Sequence, residues 1–142
     1  LMISTLQTYT GVVGRVLLGV YFLIPGISKI TNFQGNADYM QEHGMIFIPF
    51  FLVLTIIVQL GGAGALIAGY HVAFTAFILA GLTLVISVVM HDFWNIEAGI
   101  QQAHETQNFV KNLAIMAGLM ALAGGQRTHA LSVDKSSSSD PA

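Results

Sequence analysis

Four side chains of this sequence place polar chemistry at the ends of apolar runs: Lys29, His91, Asp92 and Lys111. An ammonium group can receive an anionic headgroup or donate hydrogen bonds to a carbonyl. An imidazole beside a carboxylate can take up or release a proton near neutral pH. Lys29 lies near the end of the run from Gly11 to Ile30, His91 ends a later one, and Lys111 opens the last. If successive runs cross a membrane in opposite senses, all of these groups lie near one membrane face, with Glu42 and His43 at a similar depth. Arg15, Gln59 and Ser87 lie deeper and trace a buried polar seam. An unpaired cation at the bilayer centre costs on the order of 3 kcal/mol or more, so each such group needs a partner or a wet cavity.

Every one of these residues also has a purely structural reading. Arg15 can snorkel to the headgroups or hydrogen-bond Gln59, and Gln59 can act as glue between helices. Lys29 and Lys111 can be interfacial anchors, and His91 a helix cap. A metal site is not expected: His43, His91 and His104, with Asp92, Glu97 or Glu105, show no ligand spacing such as HExxH. Intrinsic haem is not expected either, because only His91 is near a position inside a helix bundle. No phosphate loop, dinucleotide fingerprint, serine nucleophile motif or catalytic carboxylate pair is present. The absence of cysteine excludes disulfides and thiol redox chemistry. A net charge of −2 without a basic tract argues against nucleic acid as a partner.

The elements that must position these groups are helices in a bilayer. Of the 142 residues, 54% are hydrophobic and 8% charged, against about 25% charged in an ordinary soluble domain. The expected fold is an all-α integral membrane four-helix bundle with spans at about 12–29, 46–68, 72–90 and 108–124. Residues 1–125 form the transmembrane domain and 126–142 a polar flexible tail. Arg15, Gly19, Phe22, Gly26 and Lys29 share one stripe of the first helix, which is expected to face other helices. Pro25 is expected to kink or end that helix. Between the first two spans, Asn36 is an N-cap candidate and Gly44 a C′ candidate of a short helix whose Phe33, Ala37 and Met40 rest on the bilayer surface. Leu52, Thr55, Gln59, Gly62 and Leu66 mark the second stripe, and Thr83, Ser87 and His91 the third. Lys111, Ala114, Gly118, Ala121 and Gly125 mark a small-residue stripe of the fourth. Ile96 to Gln107 reads as a polar connection with room for a surface helix.

A cleaved signal peptide is not expected, because Arg15 interrupts the first apolar run. Arg127 and Lys135 place both termini in the cytoplasm by the bias of cationic loops, and the two longer loops outside.

With these residues in view, the chain resembles the DoxX family of small four-helix bacterial and archaeal membrane proteins. The resemblance is carried by GRVLLGVYFLIPGISKI, the linking segment with Phe33, Asn36, Met40, Gly44 and Pro49, and Gln59-Leu60-Gly61-Gly62 with Gly69. His91-Asp92-Phe93 and the stretch Asn108 to Leu113 complete an ordered set from Val12 to Gly125. One departure stands out: the family often has glutamate where this chain has Gln59, so no carboxylate is available there to pair with Arg15.

The family takes its name from a membrane subunit linked to thiosulfate:quinone oxidoreduction, and relatives are connected with oxidoreductase assemblies and redox stress. The resemblance implies a membrane location, expected to be the inner membrane, and together the residues and the resemblance leave three functional expectations. The first is an accessory, non-catalytic subunit of a larger redox complex, docked through small-residue faces. The second is a quinone-handling oxidoreductase subunit in which Lys29, His91 and Lys111 supply donors and Phe93 or Trp94 a ring face, with quinone and no intrinsic group as the cofactor. The third is a small protein that binds or transports a lipid or anion, for which the absence of an inverted repeat is unfavourable.

Overall fold

A computed structural model describes residues 2–125. Its elements are α1 (Met2–Thr31), α2 (Phe33–Glu42), α3 (Ile48–Ala68), α4 (Val72–Met90), a short 3-10 turn (Phe93–Asn95) and α5 (Ile100–Gly124). The described residues are all-helical. The expected polar tail lies outside them.

The helix α1 does not end at Pro25 but runs on to Thr31. Inside hydrocarbon a broken helix would leave several backbone groups unsatisfied, whereas proline removes a single donor. The stripe of α1 is buried at Arg15, Gly19, Phe22 and Gly26. Its glycines allow close contact with α3: a Cβ added at Gly19 would lie 3.0 Å from the Ala63 carbonyl oxygen, and one at Gly26 would lie 2.7 Å from Leu60 Cδ2.

The linking helix α2 starts one turn earlier than Asn36. Its N-cap is Asn32, the single residue separating it from α1, and Asn36 sits inside it with its side-chain amide donating to the Asn32 carbonyl at 2.8 Å. Gly44, at φ +73°, closes the helix: the Gly44 N–H donates to the Gln41 carbonyl and the Met45 N–H to that of Met40. The apolar side of α2 does not rest on the bilayer surface. Met40 is buried, and Phe33 and Ala37 are half-buried, because α2 folds back over α1 and α3.

Gly69, at φ +75°, ends α3 in the same way, with the Tyr70 N–H donating to the Ala65 carbonyl at 2.8 Å. The chain then reverses within Gly69, Tyr70 and His71 into α4. The surface helix and fourth span expected as separate pieces are one helix, α5, continuous from Ile100. Its buried residues are Glu105, Asn112 and Leu119, seven apart, so the stripe through Lys111 and Gly118 points outward.

Among the described residues, three helical segments are long and apolar enough to cross a membrane: Met2–Thr31, Ile48–Ala68 and Val72–Asn95. The helix α5 has the length but opens with a polar half. α1 packs mainly on α3 and α4 on α5, while the α3/α4 seam is thinner. Phe22, Ala63, Leu66, Val72, Ala76, Leu79, Ala80 and Leu119 form the core. Leu17, Ile24, Ile57, Phe74 and Phe77 are exposed apolar residues, the distribution that a hydrocarbon solvent requires.

Candidate functional site

At the α2 end of the bundle, the residue after α4 meets the polar opening of α5. His91 Nδ1 lies 2.6 Å from Glu105 Oε2. The Tyr39 hydroxyl, from α2, is shared between Glu105 Oε1 at 3.2 Å and the Met90 carbonyl at 3.3 Å. Glu105 is only 6% exposed. Burial favours its protonated form, but the hydrogen bond and charge of His91, with hydrogen bonds to Tyr39 and Asn108, outweigh burial and hold the carboxyl below its usual range. The same surroundings act oppositely on Tyr39. Burial, then the Glu105 charge and hydrogen bond, with smaller contributions from Asp92 and Glu42, push its hydroxyl up to about 12, so it stays a donor.

An ionised carboxylate offers no hydrogen, so His91 Nδ1 carries one and donates it to Glu105. That fixes the tautomer of the neutral ring: Nε2 is the acceptor, and it becomes a donor on protonation. A second pair flanks the first. His43 Nδ1 lies 2.9 Å from the Tyr39 carbonyl and Nε2 lies 3.8 Å from Asp92 Oδ1, while Asn95 donates to Asp92 Oδ2 at 3.0 Å.

Two cavities meet at this end. The larger, of about 520 Å³, fills the α2 half of the α3/α4 seam. Its walls are almost wholly apolar, including Leu52, Val58, Leu82 and Val89, and α2 roofs it with Tyr39 and Met40. Leu54, Ile78 and Val85 on its wall are also exposed, so it opens sideways between α3 and α4. The smaller, of about 150 Å³, is also partly open, with the exposed Tyr21 on its wall beside Phe22, Pro25, Gln59, Thr83 and Asn112. Lys29, Ile86 and His91 line both cavities and form the partition between them.

The residues expected at the outer face are thus divided. Lys29 and His91 come together on the partition. Asp92 faces His43 instead, and Lys111 is exposed on α5, one residue from the buried Asn112. Phe93 and Trp94 pack edge-on against Phe109 and line neither cavity. His104 and Glu97 are exposed.

The deeper residues do not form one seam. The Arg15 guanidinium lies against Gly69, where an added Cβ would be 2.5 Å from its Nη1, and so sits beside the electronegative end of α3. Gln59 is ten residues away along α3, about 15 Å at the helical rise, so an Arg15–Gln59 hydrogen bond is not formed. Ser87 and Thr83 are buried, and each donates to the carbonyl four residues back, at 2.7 Å. Gln59 is different: it is buried, and its carboxamide oxygen has no hydrogen-bond partner among the described residues. Leaving such a group unsatisfied costs about 1–3 kcal/mol.

Sequence reasoning placed Glu105 only among metal-ligand candidates and gave Tyr39 no role. The available signal was depth: Glu105 lies 14 residues beyond His91 across a reversing loop, which returns it to the same level.

Comparison with known proteins follows this geometry. The DoxX family model matches residues 11–92, from α1 through the end of α4. The inner membrane protein YqjF of Escherichia coli (strain K12) is 34% identical over 112 residues, 78% of this chain and 79% of the relative. The inner membrane protein YphA of the same organism is 23% identical over 111 residues, again 78% of this chain and 79% of the relative. No solved structure matches.

Proposed function

This chain belongs to the DoxX family of integral membrane proteins, and on that premise we propose that it is a quinone-binding subunit of the inner membrane. One observation carries the reading. An apolar cavity of about 520 Å³, open between α3 and α4, ends on a lysine, a histidine oriented by a carboxylate, and a tyrosine hydroxyl. That combination suits a ligand with an apolar tail and a carbonyl-bearing head. A bound quinone supplies reversible two-electron, two-proton chemistry. The Lys29 ammonium donates to a carbonyl oxygen. His91, held by Glu105, gives or takes a proton at Nε2, and Tyr39 fixes the carboxylate that holds it. The groups around the partition therefore suit the site to a quinone taking electrons from a redox-active partner.

The accessory-subunit reading joins this one instead of competing with it. Gly19 and Gly26 of α1, and Gly62 of α3, are used within the chain, but the α5 stripe of Ala114, Gly118 and Ala121 is exposed, and a Cβ at Gly118 would meet nothing within 4 Å. That face is one on which another membrane helix can approach closely. The proposal counts α5 as a fourth span, so that both termini share one side, and takes that side to be the cytoplasm from Arg127 and Lys135.

The test is isolation from native membranes in mild detergent, with identification of everything that travels in stoichiometric amount. Wild type is expected to carry about one quinone per chain, and Lys29→Ala and His91→Ala to lose it while still accumulating in the membrane. A quinone-free wild type, or quinone retained equally by both variants, overturns the site. A bound phospholipid in place of quinone moves it to the lipid-binding class. Migration alone, without a second polypeptide, removes the docking face.

A further inference from the structure

The smaller cavity has no role in the reading above, and the Gln59 carboxamide oxygen has no hydrogen-bond partner among the described residues. We propose that this chamber is the ring subsite of the bound molecule, and that Gln59 is the residue that recognises the ring's polar substituent. The inference rests on the proposed occupancy of the larger cavity by a tailed quinone, and it adds where the head goes and what reads it.

Three observations lead there. Gln59 is 4% exposed, lines the chamber, and keeps a carboxamide oxygen without a partner among the described residues. Of the other polar side chains on the chamber wall, Thr83 donates to its own helix, and Asn112 Oδ1 accepts from Tyr21 at 3.4 Å. A carboxamide in that position is poised for a group that enters from outside the chain, because it can both donate and accept.

The second observation is size. The chamber holds about 150 Å³, room for one six-membered ring. Phe22 and Tyr21 on its wall offer aromatic surfaces to such a ring, and Pro25 an apolar one.

The third is connection. Lys29, Ile86 and His91 line both cavities, so a molecule whose tail lies between α3 and α4 reaches the chamber by passing between Lys29 and His91. A ring seated there presents one oxygen to the partition, where Lys29 and His91 stand, and the opposite oxygen towards Gln59. The carboxamide donates to a carbonyl oxygen or accepts from a hydroxyl, so both oxidation states of a quinone head can be held.

The probe is 2-decyl-1,4-benzoquinone, whose head is a single unsubstituted ring, titrated into protein in lipid nanodiscs, with the dissociation constant and the thermal stability recorded for each variant. Gln59→Leu and Gln59→Met remove the amide at similar volume, and Val89→Trp fills the larger cavity without touching the chamber. The expected result is at least a tenfold weaker affinity in both Gln59 variants, with thermal stability equal to or above wild type. Wild-type affinity in the Gln59 variants, with binding lost in Val89→Trp, overturns the ring subsite, makes the chamber a water pocket, and leaves the larger site standing. A fall in stability alongside lost binding assigns Gln59 to helix packing and overturns its recognition role. No binding by wild type overturns both readings together.

Discussion

The hydrogen bond between His91 and Glu105 sets the state of two groups at once. The carboxylate dictates which nitrogen of the ring carries hydrogen, and the ring keeps the carboxylate ionised despite its burial. The sign of the linkage follows. A carboxyl whose folded value lies below its unfolded 4.5 contributes stability that is fully present above 4.5 and is lost as pH falls through the folded value. Glu105→Gln is therefore expected to destabilise the neutral protein by about 1–3 kcal/mol and to flatten the acid-side loss of stability. Thermal melts in detergent from about pH 3 to pH 6 check this; parallel curves for wild type and variant would show that the pair is not coupled to folding. The approach of Lys29 to His91 was legible in the sequence, because counting residues along antiparallel helices fixes depth. The identity of the partner was not. Depth brings Glu105, Glu97, Asp92 and Lys111 within reach; Asp92 and Glu97 lie outside α5, and the rotation of α5 about its axis, shown by the buried heptad of Glu105, Asn112 and Leu119, is what turns Glu105 inward and Lys111 outward.

At the scale of elements, α2 is the piece that the polar cluster holds in place. It has ten residues and little apolar surface of its own, so it is too short to be stable alone. It stays over the larger cavity through Met40 beneath it, the Tyr39 hydroxyl and the His43–Asp92 approach. Tyr39→Phe removes a hydrogen bond worth about 1 kcal/mol and is expected to raise amide exchange across residues 33–42 by several-fold, with α3 and α4 unaffected. Unchanged exchange in α2 would assign its anchoring to Met40 alone. The stripes of α1 and α4 could be read from the sequence because polar or glycine residues recur there in an otherwise apolar run. That of α5 could not: small residues suit a helix–helix contact and a lipid-facing surface equally, and the heptad that is buried begins in a segment that reads as a connecting loop.

For the molecule as a whole, the chain's lack of cysteine makes its orientation directly measurable. A cysteine placed at Asp38 on the exposed side of α2 is expected to react with a membrane-impermeant label added outside the cell, and one at Ser136 only after permeabilisation. The reverse pattern would put the cavity roof in the cytoplasm. The all-helical membrane fold was legible from composition and run length, since few other structures satisfy the backbone in hydrocarbon. The two cavities were not, because they arise where helices fail to touch, and a sequence records contacts through its periodicity but not the gaps between them.

The sideways opening between α3 and α4 has one more consequence. In a bilayer the exposed Leu54, Ile78 and Val85 would meet lipid acyl chains, so on the proposed reading occupancy of the wedge is an exchange of one tail for another. Such an exchange releases almost no water and gains almost nothing from apolar contact. Selection among the tails that drift past therefore falls to the few polar atoms at the closed end of the wedge. Affinity is set there as a mole fraction of membrane lipid, and lengthening a ligand's tail leaves it unchanged.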